Sequence, residues 1–485
     1  MEHKRGSWAS NIGFLMAAIG SAVGLGNIWG FPYKMGKSGG FSFLLVYLLL
    51  ALFVGFVIMM TELALGRKTG KGIIGAYKQA SKRFAWVGWL GVISPFLILT
   101  FYCVLGGYCL QYIFYNLANI AFAQASLPGA DLFAAMCTNQ WGCVVFTLIF
   151  VLLNVAIVRG GVSGGLEKFN TIGMPALAVM LVIIIIRAVT MDGAVEGLKF
   201  MFVPGYAVKA GFIEKTPNFI SILATAGGQM FFSLSLAMGA MITYGSYLSK
   251  NENLVKNSAI IVVSDTLVAL MAGLAVIPSA VAYGVQNGIP MNEIKLSGPG
   301  LLFVTMQNVF GSMGIIGALF GVIFFGLVLI AAISSSISLV EVLVTYVSDV
   351  RAEKKKTVDR SRITWIVCAC FTVLAILVAW DGLGSNGVWV PFQKFFVNGF
   401  NDCWLDFFDC IAEGIAMPLG ALLMAIMIGW SLKPGFTTDE LSNGCRVTPL
   451  LNKFYTICIR FVVPVVMVLV LLGQLNDFFG LGIFQ

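Results

Sequence analysis

Long apolar runs alternate with short polar segments along the whole chain. Eleven of the runs are long enough to cross a hydrocarbon core of about 30 Å as helices. They fall at 8–35, 40–66, 87–116, 141–158, 168–190, 217–247, 257–281, 312–348, 362–380, 404–430 and 452–474. The pattern predicts an all-α polytopic membrane protein with 11 transmembrane helices. Residues 70–82 and 436–447 read as short amphipathic surface helices. The segment 284–311 carries Pro290, Pro299 and several glycines, and reads as an outer loop holding a re-entrant or surface helix. Residues 382–402 read as another outer loop. No cleavable signal peptide is expected, because Met1 to Ser7 is polar and the first apolar run is too long for a signal core.

Two of the runs are interrupted. The first contains Gly20-Ser21-Ala22-Val23-Gly24-Leu25-Gly26-Asn27. Glycine costs a helix about 1 kcal/mol relative to alanine, so the cluster lets the helix open. An open turn frees backbone N–H and C=O groups, which hydrocarbon tolerates only around an enclosed cavity or a bound species. Close helix packing through small residues is the alternative reading. The sixth run carries Ser233-Leu234-Ser235-Leu236-Ala237-Met238-Gly239, again small and polar. Two interrupted helices five apart point to a 5+5 inverted repeat with a site at the membrane midplane. The repeats are then residues 1–190 and 191–432, with 433–485 holding the eleventh helix and the C-terminus.

Composition narrows the class. The chain has 485 residues, 59% hydrophobic and 11% charged, with a formal charge of +8. Mean hydropathy is +0.93. With the N-terminus in the cytoplasm, 22 of the 30 Lys and Arg fall inside, as the positive-inside rule requires. The odd helix count then places the C-terminus outside. No basic face interleaved with aromatics occurs, which argues against a nucleic-acid partner. The sole histidine is His3, so histidine acid–base chemistry and histidine metal sites are excluded. The ten cysteines match no zinc spacing. Cys137 and Cys143 share an outer loop, where a disulfide and two free thiols are both open.

Few polar residues lie at membrane depth. Asp265, beside Ser264, is costly there, and such a residue defaults to function with a partner. A carboxylate among hydroxyls and free carbonyls suits a hard cation such as sodium; proton coupling is the rival role. Ser334-Ser335-Ser336 follows Ala331-Ala332 in the eighth helix. A lone membrane serine usually bonds its own helix, but three in a row suggest a ligand surface. Arg5 and Asp349 flank the cytoplasmic side, as a gate or as a solvated pair. Glu62 and Asp409 stand near helix ends with no assigned role.

These residues resemble the neurotransmitter:sodium symporters. The resemblance rests on Trp8 through Pro32, on Gly228-Gln229-Met230-Phe231-Phe232-Ser233-Leu234-Ser235, on Tyr244-Gly245-Ser246-Tyr247 and on Ala331 to Ser336. It runs the whole chain, and the eleven-helix form is similar to the bacterial amino-acid branch that includes tyrosine and tryptophan transporters. The resemblance implies helices 1 and 6 unwound at mid-membrane and two sodium sites. Site 1 would take the Ala22 carbonyl, Asn27, Ser233 and a helix 7 side chain, assigned to Asp265 over Ser264. Its fixed charge would remove the need for chloride. Site 2 would take carbonyls of Gly20, Val23 and Ala331 with hydroxyls of Ser334 and Ser335.

The substrate would lie between the two breaks. N–H groups at Gly24, Leu25 and Gly26 would receive a carboxylate, with Tyr102 donating to it. Carbonyls of Ala22 and Phe232, and the Ser233–Ser235 region, would meet the amine. Monoamine-carrying relatives have aspartate where this chain has Gly24, so an amino acid is favoured. Ile98, Met238 and Leu339 would line a pocket for a large apolar or aromatic side chain. Phe232 with Tyr102 would form the outer lid. Arg5, Trp8, Ser246, Tyr247 and Asp349 would close the cytoplasmic side. The family's outer gate pairs an arginine at position 30 with an acid in helix 10. Here Gly30 takes that place, Asp409 remains, and Lys34 stands one turn on.

The leading expectation is sodium-coupled import of a neutral amino acid by alternating access in a bacterial plasma membrane. Import of another zwitterion or an osmolyte is the second reading. A channel or sensor on the same scaffold is the third. An enzyme is not expected.

Overall fold

The computed structural model describes residues 7–124, 126–294, 296, 300–391, 403–433, 435–442, 448–479 and 481–482. Its described secondary structure is helical throughout. The main helices in chain order are α1 Asn11–Ala22, α2 Gly26–Lys37, α3 Phe41–Thr69, α4 Ile73–Ala80 and α5 Lys82–Phe122. Next come α6 Gly129–Thr138, α7 Gln140–Val158, α8 Val162–Val189, α9 Ala194–Phe202, α10 Phe219–Ser233, α11 Ala240–Gly245 and α12 Leu254–Gln286. The last are α13 Leu301–Gly311, α14 Gly314–Glu353, α15 Arg360–Asp381, α16 Trp404–Ser431 and α17 Pro449–Phe479.

Among the described residues, nine helices are long and apolar enough to cross a membrane, and the pair α1–α2, bent by 45°, makes a tenth. The apolar run at 217–247 is not one long helix. It is α10, a turn, and the short α11.

Local sequence sets the helix starts. Side-chain oxygens of Ser10, Asn139, Asn218, Asn253, Asp359 and Thr448 each accept a first-turn backbone N–H of the helix they precede, satisfying donors that a helix end leaves open. Gly70 and Gly382 close α3 and α15 in the left-handed region, where only glycine is free of penalty.

The long α14 runs through the middle and packs along α5, with α7, α8, α15 and α1 around it. α1 lies against α8, α14 and α12, and α11 lies against α3. The α3–α11 contact is backbone to backbone. A methyl group on Gly66 would strike the Ile242 carbonyl, and one on Gly245 would stand 2.6 Å from the Leu63 carbonyl. Large apolar side chains such as Leu49, Leu52, Val179, Ile186, Ile316 and Val373 face outward, a surface suited to lipid.

Two points that the sequence leaves open are decided by the structure. The helix within 284–311 is not on the surface. Phe303 of α13 is fully buried, stacked on Phe133 and Phe325 and edge-on to Tyr108, so aromatic burial pulls the segment inward. Cys137 and Cys143 are free thiols; the Cys143 thiol donates to the Met136 carbonyl at 3.1 Å. Residues 392–402, in the last predicted outer loop, lie outside the described residues, as do 443–447 and Arg5.

Candidate functional site

The break between α1 and α2 centres on Val23, whose backbone is extended with φ −74 and ψ 103. Its freed groups find defined partners. The Gly24 N–H donates to Asn27 Oδ1 at 3.0 Å, and the Leu25 N–H donates to the Tyr102 hydroxyl at 2.9 Å. Gly24 is confined. A methyl there would sit 2.6 Å from the Tyr102 hydroxyl and collide with that of Ser335.

The turn after α10 is strained as well as open. Ser235 and Ala237 have φ of +52 and +60, followed by Gly239 at +78. Non-glycine residues there cost about 1 kcal/mol or more each and persist only where surroundings hold them. Two contacts hold these. The Ser235 hydroxyl donates to the Ser21 carbonyl at 2.7 Å, and the Ala237 N–H donates to Glu62 Oε1 at 2.6 Å. Glu62, fully buried in α3, thus pins the turn, a role its position in sequence did not reveal.

Between the two breaks lies a small cavity. Ser21, Ala22, Gly24, Gly26, Ile98, Tyr102, Phe232, Ser235, Met238, Ser335 and Leu339 line it. Nine of these carry the sequence-based assignment; Ser21 and Ser335 are additions. Leu25 meets the site through its N–H, and Ser233 points elsewhere. No lining side chain is charged. The free space is about 10 Å³, enough for about one water.

Phe232 also lines a second, larger cavity of about 150 Å³ with Trp29, Gly30, Tyr33, Lys34, Asp409 and Glu413. It therefore stands between the two spaces, 6.4 Å from the Tyr102 ring. Lys34 forms an ion pair with Glu413 across this second cavity. Glu413 is one helical turn from Asp409, so the paired acid is not the one the sequence pointed to.

Two oxygen clusters flank the central cavity. In the first, Asn27, Tyr47, Ser233 and Asp265 are all fully buried. Asn27 Nδ2 donates to Asp265 Oδ1 at 2.7 Å and to Ser233 Oγ at 3.0 Å. Ser233 Oγ donates to Asp265 Oδ2 at 2.8 Å, and Tyr47 approaches the same oxygen at 3.4 Å. Ser264 is half-buried, whereas the buried Asp265 carboxylate bonds both Asn27 and Ser233.

The second cluster has no charge. Ser334 Oγ lies 3.2 Å from the Val23 carbonyl and 2.8 Å from that of Ala331. Ser335 Oγ lies 3.4 Å from the Gly20 carbonyl and 3.3 Å from that of Val23. Three carbonyls and two hydroxyls thus meet where α1 ends against α14. Ser336 faces away and bonds Asn154 at 2.6 Å. The second cluster, all oxygen and neutral, suits a hard monovalent cation such as sodium; the first offers the oxygens of Ser233, Tyr47 and Asp265, with the Asn27 carboxamide turning its Nδ2 toward the carboxylate.

Toward the start of α1, Trp8 Nε1 donates to the Tyr244 carbonyl at 3.1 Å. The Tyr247 hydroxyl donates to Glu341 Oε1 at 2.8 Å, and Glu341 pairs with Arg360. Arg360 also donates to the Val158 carbonyl at 3.3 Å, tying α7, α14 and α15 together. Asp349 accepts the Gly72 N–H at 2.8 Å. The Ser246 hydroxyl donates to the Thr243 carbonyl of its own helix at 2.6 Å. Sequence reasoning missed Glu341 and Arg360. Glu341 sits in an apolar run, and the rule that singled out Asp265 would have found it too.

A bundle of apolar helices, broken around an uncharged cavity and two buried oxygen clusters, defines a helical membrane transporter. A model described as the "Sodium:neurotransmitter symporter family" matches residues 5–141 and 132–483. The chain belongs to that family and is a sodium-dependent transporter. It is 34% identical over 477 residues to YhdH, an uncharacterised sodium-dependent transporter of Bacillus subtilis, covering 98% of this chain and 99% of that one. An uncharacterised sodium-dependent transporter of Methanocaldococcus jannaschii is 30% identical, over 88% of this chain and 82% of its own. The crystal structure of MhsT in complex with L-phenylalanine superposes with a TM-score of 0.82 at 33% identity, covering 97% of this chain and 100% of MhsT.

Proposed function

We propose that this transporter imports a neutral amino acid with a large hydrophobic or aromatic side chain, coupled to sodium, by alternating access. The observation that carries the reading is the uncharged cavity between the two helix breaks, lined by Tyr102, which bonds the Leu25 N–H, and by Ile98, Met238 and Leu339. A substrate there must be neutral overall, yet able to accept from N–H groups. A zwitterion meets both needs. Its carboxylate inserts between the Leu25 N–H and Tyr102, whose hydroxyl then donates to it. The L-phenylalanine bound to MhsT supports a bulky side chain.

In this reading the first cluster, with the Ala22 carbonyl, holds one sodium ion and the second cluster holds another. The Asp265 carboxylate supplies the negative charge at the first, and chloride is not required. The broken run 217–247 also spans the membrane as helix 6, which brings the spans to eleven, and residues 1–190 and 191–432 are inverted repeats. The N-terminus is cytoplasmic and the C-terminus lies outside a bacterial plasma membrane. The Lys34–Glu413 pair above Phe232 is the outer latch. Trp8, Tyr247 and Asp349 belong to the inner closure with Arg5. Inward sodium movement gains about 2.3 kcal/mol per charge per 100 mV.

The small free volume favours one second reading, a compact zwitterion or osmolyte; a bulky substrate needs Phe232 and Met238 to move. A thermal-shift screen of the twenty amino acids and common osmolytes, each in sodium and in potassium, separates the two. A ligand of the folded state raises its apparent stability. The first reading expects stabilisation by large neutral amino acids in sodium only. Stabilisation by betaine-like compounds alone would replace it with the second.

A further inference from the structure

Asn170 of α8 is fully buried beside the end of α1. Its Nδ2 donates to the Leu166 carbonyl one turn back, at 2.9 Å. Its Oδ1 accepts no hydrogen bond among the described residues. Buried polar atoms are almost always paired, so an orphaned carboxamide oxygen asks for a partner.

The oxygen has a definite position. It lies against Gly20, so that a methyl group on Gly20 would collide with it, and the same methyl would stand 3.3 Å from Ser334 Cβ. Gly20 and Ser334 both belong to the neutral oxygen cluster. The approach is built in, because any side chain at position 20 would displace Asn170. One turn before Asn170 on α8, Glu167 accepts the Ala9 N–H at 2.9 Å, which fixes α8 against α1.

We infer that Asn170 is a further donor of the second sodium site, its Oδ1 reaching the ion or water carried by the ion. The inference rests on the reading of that cluster as a sodium site. The site then draws on three elements: the end of α1, the serines of α14 and the amide of α8. A carboxamide oxygen is a better sodium donor than a hydroxyl, so Asn170 tightens sodium at an otherwise neutral site. The competing account is a weak Cα–H···O contact with Gly20, which would make Asn170 a packing residue only.

The two differ in sodium dependence. The purified transporter is melted over a sodium series without amino acid, choline holding ionic strength constant. Wild type is compared with Asn170→Ala, Asn170→Leu, Asn170→Asp and Ser335→Ala. Leucine keeps the side-chain volume and removes the oxygen. The expected result is a half-saturating sodium concentration raised about fivefold or more in both the alanine and leucine variants, and lowered in the aspartate variant. If Ser335→Ala shifts the titration but Asn170→Ala and Asn170→Leu follow wild type, Asn170 is packing and the inference is overturned while the site stands. If Ser335→Ala also follows wild type, the site reading fails and takes the inference with it.

Discussion

Lys34 pairs with Glu413 across the cavity that lies over Phe232. Both side chains are largely buried, 17% and 9% exposed, so the pair is more than a surface contact whose median worth is 0–1 kcal/mol. As the outer latch, it should hold the closed state. Glu413→Gln and Lys34→Ala are expected to leave the protein folded and to speed release of bound substrate to the outside by about tenfold, near 1.4 kcal/mol. A cysteine placed at Phe232 should label faster in either background. Unchanged labelling would remove the latch role.

At the opposite end, Glu341 holds Tyr247 and Arg360 together. Taking one partner from a buried ion pair strands the other. Arg360→Ala is expected to lower stability by about 3 kcal/mol, read as a fall in melting temperature. Combining it with Glu341→Gln should recover part of that loss, because the uncompensated carboxylate is gone. Additive losses in the double variant would show that the pair does not act as a unit.

Asp265 is the carboxylate of the first oxygen cluster, joined to Asn27 and Ser233. Asp265→Asn keeps the shape and removes the charge. Sodium-driven uptake should then fall in gluconate medium and recover, wholly or in part, when chloride is supplied. Wild-type uptake should be indifferent to that exchange. A variant with wild-type sodium affinity and no response to chloride would contradict the role given to the carboxylate.

Much of the fold was legible because membrane helices announce themselves by composition. Ten of the eleven apolar runs coincide with an observed long helix or with the bent α1–α2 pair, 217–247 being split, and the glycine-rich stretch at 20–27 coincides with the break at Val23. Asp265 could be singled out because an acid at membrane depth stands out against apolar neighbours. Choice of partner was less legible. Lys34 meets Glu413 and not Asp409 because the relative register of α2 and α16 decides it, and no local pattern encodes that register. Ser246 looked available, yet its hydroxyl is spent on Thr243 one turn back. The helix at 301–311 turned inward because Phe303 finds Phe133 and Phe325, residues far away in sequence. Glu62 stands out in the sequence only as an acid near a helix end, since its importance depends on the strained turn it caps.

The central claim, sodium-coupled uptake of a large neutral amino acid through these clusters, is tested most directly in proteoliposomes holding the purified protein. Labelled L-phenylalanine should accumulate when sodium is high outside and low inside, and not when potassium replaces it. Asn27→Ala and Ser334→Ala, folded by their melting curves, should each need about tenfold more sodium for half-maximal uptake. Accumulation that ignores the sodium gradient, or both variants keeping wild-type sodium dependence, would contradict the account.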